Sequence, residues 1–99
     1  MTIPVHRDTD ARICGATTTV VNQSSVYANN LLIAVNGDPN THKGGSLIAH
    51  CKNVYAEGIL IVNNTPDNAN PDSLCVPIGP PHCNPYTNQG SPDVFVGDP

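Results

Sequence analysis

Val26–Asp38 (VYANNLLIAVNGD) contains a short apolar strand, a two-residue Asn-Asn turn and an apolar return strand. Asparagine tolerates a positive φ, so Asn29-Asn30 is typical of the loop of a tight β-hairpin. The return strand ends at Asn36-Gly37-Asp38-Pro39, which is a second turn signal. This stretch therefore predicts a β-hairpin.

A second copy of the hairpin begins at Val54 and runs VYAEGILIVNNTPD, with one residue inserted late in the hairpin and Glu57-Gly58 as its turn. A third triplet, Val94-Phe95-Val96, is expected to form an outgoing strand without a return strand. Residues 1–13 are polar and are expected to be an irregular lead-in. The chain is interpreted as one domain, 1–99, with units at about 14–41, 42–74 and 75–99.

The aromatic residues of the three triplets are expected to share a small core with the Leu and Ile side chains. These residues are Tyr27, Tyr55 and Phe95. Each hairpin alone would be marginally stable, so the units need to pack around a common axis. No stretch shows a helical periodicity. The predicted fold class is all-β, with three hairpin-like units around a pseudo-threefold axis.

The composition leaves little apolar surface to bury. Of 99 residues 38% are apolar, with no Trp and one Phe, so a domain of this size is expected to need disulfides, a metal or a partner surface. The four Cys and four His fit either of the first two. The N-terminus does not read as a secretory signal, and a reducing cytosol favours metal over disulfide.

The net charge of −4, with only four Lys plus Arg, provides no basic stripe. Nucleic-acid binding is therefore not expected, because neutralisation of phosphates dominates that affinity. Attraction to anionic lipid is not expected either, and no run approaches the length of a membrane span.

Three potential metal ligands share one spacing. Cys14, His42 and His82 each lie twelve residues before the valine that opens a triplet. Cys75, in the loop after the second unit, is the predicted fourth ligand, and Cys83 could replace either Cys75 or His82. Two thiolates and two imidazoles are typical of a closed structural zinc site. A mixture of buried free thiols and surface imidazoles is the alternative.

The remaining candidates are assigned other roles. His50 and Cys51 occupy a turn position and are expected not to be ligands, and His6 is expected to be solvated. Four acids are expected to form turns: Asp38, Asp67, Asp72 and Asp98. No phosphate-binding glycine loop, His-Glu-x-x-His motif or oxyanion motif is present, and so the chain is not expected to be an enzyme.

Gly90–Val96 (GSPDVFV) resembles the repeat of the PAAR-repeat proteins, the metal-binding tips of contractile-tail and type VI secretion spikes. Val26–Asp38 matches the same frame in length, with Leu32–Val35 where the naming tetrapeptide would fall. The resemblance covers about residues 11 to 97. It implies a short cone of β-hairpins with zinc near the apex, or iron as the second choice, held by His and Cys from successive repeats.

The resemblance also implies a role and a partner. The broad end would sit, one copy per trimer, on the blunt end of a trimeric spike β-helix. The protein would sharpen the spike, contact the target cell envelope transiently and be monomeric by itself. The expected location is the tail tip or baseplate of a virion, or else the bacterial cytoplasm before export on a type VI secretion spike. The alternative function is a free-standing zinc-stabilised protein-binding module.

Overall fold

The structure, a computed structural model, describes residues 3–96. This part of the chain is almost free of helix and consists of turns, isolated bridges and short antiparallel strand pairs. Its elements are β1 (Tyr27–Ala28), β2 (Leu31–Leu32), β3 (Tyr55–Ala56), β4 (Ile59–Leu60) and the helical turn α1 (Cys75–Ile78). Val76 inside α1 has the extended angles φ −120° and ψ 113°, so α1 is a distorted single turn. The expected all-β class is confirmed.

Two hairpins form at the predicted turns. Strands β1 and β2 pair antiparallel through Tyr27 and Leu32, and β3 and β4 pair in the same register through Tyr55 and Leu60. The turn residues all have positive φ: Asn29 at 56°, Asn30 at 65°, Glu57 at 52° and Gly58 at 80°. Two successive positive φ values are the requirement of a type I′ hairpin turn, which asparagine and glycine meet at low cost.

The third triplet pairs with the N-terminal segment through one isolated bridge and flanking backbone hydrogen bonds. Phe95 forms an antiparallel bridge with Pro4. The amide of Val5 donates to the carbonyl of Val94 over 3.0 Å, and the amide of Val96 donates to that of Ile3 over 3.0 Å. The predictions of an irregular lead-in and of an unreturned third strand are therefore wrong. A pairing that joins the two ends of the chain carries no local sequence signal.

Three backbone hydrogen bonds join residues spaced 28 positions apart into a closed cycle. His6 donates to Val62, Ala34 donates to His6, and Val62 donates to Ala34, over 3.0, 2.9 and 2.9 Å. The three bridges next to this ring follow the same spacing: Val5 with Asn63, Arg7 with Ile33, and Val35 with Ile61. The N-terminal segment and the two hairpins are thus joined in one cycle.

The core is aliphatic, and the aromatic rings lie outside it. One cluster of buried side chains is built around Val5, Ile33 and Ile61, and a second includes Ala34, Leu47 and Val62. The predicted core rings are exposed instead, by 57% at Tyr27, 59% at Tyr55 and 46% at Phe95. In each triplet the following residue turns inward, because successive side chains in extended backbone point to opposite faces.

His6 is fully buried, which corrects the expectation that it is solvated. Its Nδ1 lies 2.7 Å from the carbonyl of Gln89, which can only accept, so Nδ1 carries a proton. Its Nε2 lies 2.6 Å from Oγ1 of Thr18, and Arg12 Nε donates to that same oxygen over 2.7 Å. A neutral His6 therefore accepts the hydroxyl proton of Thr18. This hydrogen-bonded chain runs through the centre of the molecule.

Acid should weaken the fold through His6. Burial lowers its pKa to about 4, against an opposing effect of the Gln89 carbonyl. Between an unfolded pKa near 6.5 and this value, only the unfolded chain binds the proton. The free energy of unfolding should therefore fall as the pH drops through this window, by up to about 1.4 kcal/mol per pH unit.

Urea unfolding across that pH range, for the wild type and for His6→Gln in identical buffers, checks this expectation. The variant should lose the part of the slope that His6 contributes. Parallel pH profiles for the two proteins would contradict it.

Among residues 3–96, no helix has the length and apolar character needed to cross a membrane.

Candidate metal centre

Two turns of the same geometry present Cys14 and His42. In each, an amide donates to the carbonyl four residues on, Arg12 to Ala16 and Asn40 to Gly44, both over 2.9 Å. The residue after each ligand has a positive φ, 89° at Gly15 and 71° at Lys43. The side-chain oxygen of Asn40 also accepts from the amide of His42 over 2.9 Å. Equivalent turns thus place the two side chains in equivalent positions.

Asp72, near the end of the second unit, and His82, in the third, are positioned differently. The amide of Asp72 donates to the carbonyl of His82 over 2.9 Å, which brings together two residues ten positions apart. Oδ1 of Asp72 accepts from the amide of Leu74 over 2.9 Å, and this leaves Oδ2 facing the other ligands. The turn formation expected for Asp72 therefore occurs through one carboxylate oxygen only.

The donor atoms of Cys14, His42, Asp72 and His82 all lie within 4.8 Å of one another. Oδ2 of Asp72 is 3.3 Å from Nδ1 of His42, 3.4 Å from Nδ1 of His82 and 3.6 Å from Sγ of Cys14. Sγ of Cys14 is 3.8 Å from Nδ1 of His42. The side chain of Asp72 is fully buried, and those of His42 and His82 are 25% and 10% exposed. This group could hold a metal ion.

Hydrogen bonds keep Asp72 ionised despite its burial. Burial alone would raise its pKa, but the Leu74 amide, Asn40, His42 and His82 outweigh it and lower the pKa to about 2. Asn40 contributes through its Nδ2, which donates to Oδ2 over 3.0 Å. Burial raises the pKa of the Cys14 thiol. A carboxylate is thus available at neutral pH, whereas Cys14 would release its proton on binding a cation.

The structure brings together three of the four ligands predicted from the sequence, Cys14, His42 and His82. Asp72 takes the place assigned to Cys75. Cys75 and Cys83 instead form a disulfide, with their Cα atoms 4.5 Å apart. A disulfide sulfur is not a thiolate, and so neither Cys75 nor the alternate Cys83 is available as a ligand in this state.

His50 and Cys51 lie outside the group. Nε2 of His50 is 3.1 Å from the carbonyl of Asp67. Cys51 is a free, fully buried thiol within the aliphatic cluster that contains Val5, Ile33 and Ile61. Its role is that of a small apolar side chain in the core.

Asp72 is the member of this candidate group that the sequence reasoning missed. Asp72 was grouped with three other aspartates that were expected to form turns. It does not lie twelve residues before the valine of a triplet, as the three predicted ligands do. The available signal was its position in the same loop as Cys75 and His82. Carboxylate oxygen is an ordinary zinc ligand, so an acid in a loop that contains Cys and His is also a candidate metal ligand.

Comparison with models of known protein families and with curated proteins found no match to this chain.

Proposed function

We propose that this protein is a PAAR-like tip that caps and sharpens the trimeric β-helical spike of a contractile injection machine and helps it pierce the target envelope. The observation that carries this proposal is the cycle of hydrogen bonds among His6, Ala34 and Val62. A monomer whose three units follow one cyclic pattern can match the true threefold end of a trimer. The corresponding location is the tail tip or baseplate of a virion, or a type VI secretion spike.

The cycle supports a cone around a pseudo-threefold axis. Each residue of the hydrogen-bonded cycle lies in the chain between a strand pair and the next candidate ligand. His6 precedes Cys14, Ala34 precedes His42, and Val62 precedes Asp72. We place the metal at the apex and the hairpins at the broad end on this ground. An ion shared by all three units would cross-link them at the narrow end, where few side chains can pack.

Zinc is the metal that we propose. A tetrahedral zinc ion, with bonds of about 2.0–2.1 Å to N and O and about 2.3 Å to S, separates N from O by about 3.3–3.4 Å and S from either by about 3.6 Å. The distances from Asp72 Oδ2 to His42, His82 and Cys14 are 3.3, 3.4 and 3.6 Å. Sγ of Cys14 lies 3.8 Å from Nδ1 of His42, and all four donor atoms lie within 4.8 Å of one another, so the group would contract slightly around the ion. Four protein donors would complete the tetrahedron and leave no position for a substrate, which supports a structural role.

The exposed aromatic residues are the proposed contact with the spike. Tyr27, Tyr55 and Phe95 hold equivalent positions in the three triplets, and each leaves about half of its surface exposed. Aromatic rings are enriched where protein surfaces dock, because they bury a large area at low entropic cost. Three such rings in a cyclic arrangement would each meet one chain of the trimer.

Replacing these rings should separate docking from stability. We expect the double variant Tyr27→Ala with Phe95→Ala to change the free energy of unfolding by no more than about 1 kcal/mol, because exposed side chains contribute little to the fold. The same variant should lose most of its affinity for a trimeric β-helical spike protein. Thermal melts and native mass spectrometry of the mixture measure the two effects.

The stoichiometry distinguishes the two functions. A tip should bind at one copy per three spike chains, and the matched core variant Ile33→Ala should melt at a lower temperature yet bind while folded. A protein that is fully folded and never associates with a spike trimer would instead be a free-standing zinc-stabilised binding module.

A further inference from the structure

The loop between Asp72 and His82 carries two of the four candidate metal ligands. Its first residue, Ser73, is tied to the His42 turn, since its amide donates to the carbonyl of Lys43 over 2.9 Å. The backbone hydrogen bonds described for residues 74–82 stay within residues 72–84.

Leu74 is half-buried, and two other large apolar side chains of the loop point into solvent, with Val76 84% and Ile78 61% exposed. Neither belongs to an aliphatic cluster. Packing against the core therefore does not determine the conformation of this loop.

The disulfide between Cys75 and Cys83 closes this loop immediately beside both ligands. Cys83 follows His82 directly, and Cys75 lies three residues after Asp72. The amide of Cys75 donates to the carbonyl of Asp72 over 3.1 Å, so the cross-link continues into the ligand turn. The disulfide and the hydrogen bond from the Asp72 amide to the His82 carbonyl thus link the two ends of the loop at neighbouring positions.

We infer that the Cys75–Cys83 disulfide is a redox-dependent clamp that holds Asp72 and His82 in the geometry for binding metal. This inference rests on the metal centre of the proposed function and adds a condition to it. Cys75 and Cys83 are positioning residues, because they act through the loop and do not touch the ion. The metal is bound tightly when the disulfide is present and more weakly when it is reduced.

The change between the two states is a two-electron reduction. A dithiol reductant attacks one sulfur, the Sγ–Sγ bond breaks, and the reductant leaves as its cyclic disulfide. Two electrons and two protons reach the Sγ atoms of Cys75 and Cys83, which become thiols. The freed loop then has to be ordered when the metal binds, and the entropy of that step lowers the affinity.

The test compares zinc affinity with and without the clamp. Zinc is titrated in competition with a chelator of known affinity, into the oxidised wild type and into Cys75→Ser with Cys83→Ser. The double variant has neither the disulfide nor the extra thiols, and we expect it to bind zinc about tenfold to a hundredfold more weakly. Cys51→Ala, which removes the buried core thiol, is the matched control and should bind as the wild type does.

A second readout separates positioning from general stability. Cobalt(II) in the oxidised wild type and in the double variant should show charge transfer from one thiolate, that of Cys14, because the ligands are unchanged. Treating the zinc-loaded wild type with a dithiol should speed zinc release, and reoxidation should restore the slow rate. Protection of the Ala34 and Val62 amides from hydrogen exchange shows that the proteins remain folded during these measurements.

Two results would overturn the inference, for different reasons. If the folded double variant binds zinc with an affinity within about twofold of the wild type, the disulfide does not act as a clamp, and the proposal of a metal centre is unaffected. Absence of zinc binding in the oxidised wild type would remove the metal centre of the proposed function, and the clamp with it.

Discussion

Removing the metal proposed for this centre is expected to lower the melting temperature by about 15–30 °C. An ion present at about 1,000 times its dissociation constant adds about 4 kcal/mol to the free energy of unfolding. Each kcal/mol moves the melting temperature of a domain of this size by about 4–8 °C. The effect is large because the strands have two residues each and the site joins residues from Cys14 to His82.

Calorimetry of zinc-loaded and chelator-treated protein measures this shift. His42→Ala should reproduce the loss, because it removes one of the four donors. His50→Ala is the matched control, since that imidazole lies outside the group and contacts the Asp67 carbonyl. Equal melting temperatures with and without chelator, together with no zinc in elemental analysis of the purified protein, would show that the centre is not a metal site.

Arg12→Met is expected to destabilise the fold by about 3–5 kcal/mol. The residue is 2% exposed and contacts all three units. Its guanidinium donates to the backbone carbonyls of Gly45, Pro85 and Asp38 over 2.7, 3.1 and 3.3 Å. Removing it leaves the carbonyls of Gly45 and Pro85 without their donor, at about 1–3 kcal/mol each before relaxation. The Asp38 carbonyl keeps the amide of Leu47 as a donor over 2.9 Å. Burial lowers the pKa of Arg12 to about 10, so the group is protonated at neutral pH.

Urea denaturation of Arg12→Met, with Lys52→Met as the control, checks this expectation. Lys52 is exposed, so its substitution makes the same change of charge without removing a buried donor. Arg12→Lys should fall between the wild type and Arg12→Met, because an ammonium cannot reproduce the planar fork of the guanidinium. If Arg12→Met unfolds at the same urea concentration as the Lys52 control, then Arg12 does not hold the units together.

The local features of the fold were predictable because short-range chemistry decides them. Asn29-Asn30 and Glu57-Gly58 form the two hairpin turns, since these positions require positive φ. The common spacing of Cys14, His42 and His82 identified three residues of the metal group. Cys14 and His42 lie in turns of the same geometry, so their equal spacing in sequence becomes proximity in space, whereas His82 reaches the group from a different turn.

The predicted core residues were wrong because successive side chains of a strand point to opposite faces, and the sequence did not show which face is buried. Tyr27, Tyr55 and Phe95 were assigned to the core on their hydrophobicity, but each is exposed. The smaller neighbours Ala28 and Ala56 are buried, and Val96 is partly buried. A triplet of three apolar residues does not indicate which face points inward. Likewise, the spacing of Cys75 and Cys83 permitted either metal ligation or a disulfide, and only their separation of 4.5 Å between Cα atoms decided between them.

The sequence by itself indicated the hairpins and the repeat, because each hairpin depends on residues close together in the chain. It also indicated three members of the candidate metal group, because these share one spacing to the apolar triplets. Tertiary structure alone decided that Pro4 and Val5 complete the third strand pair, that His6 is buried, and that Asp72 is the fourth donor. These features join segments that are far apart in the chain. They depend on the hydrogen-bonded cycle that joins the N-terminal segment to the two hairpins, and no local pattern of residues predicts that cycle.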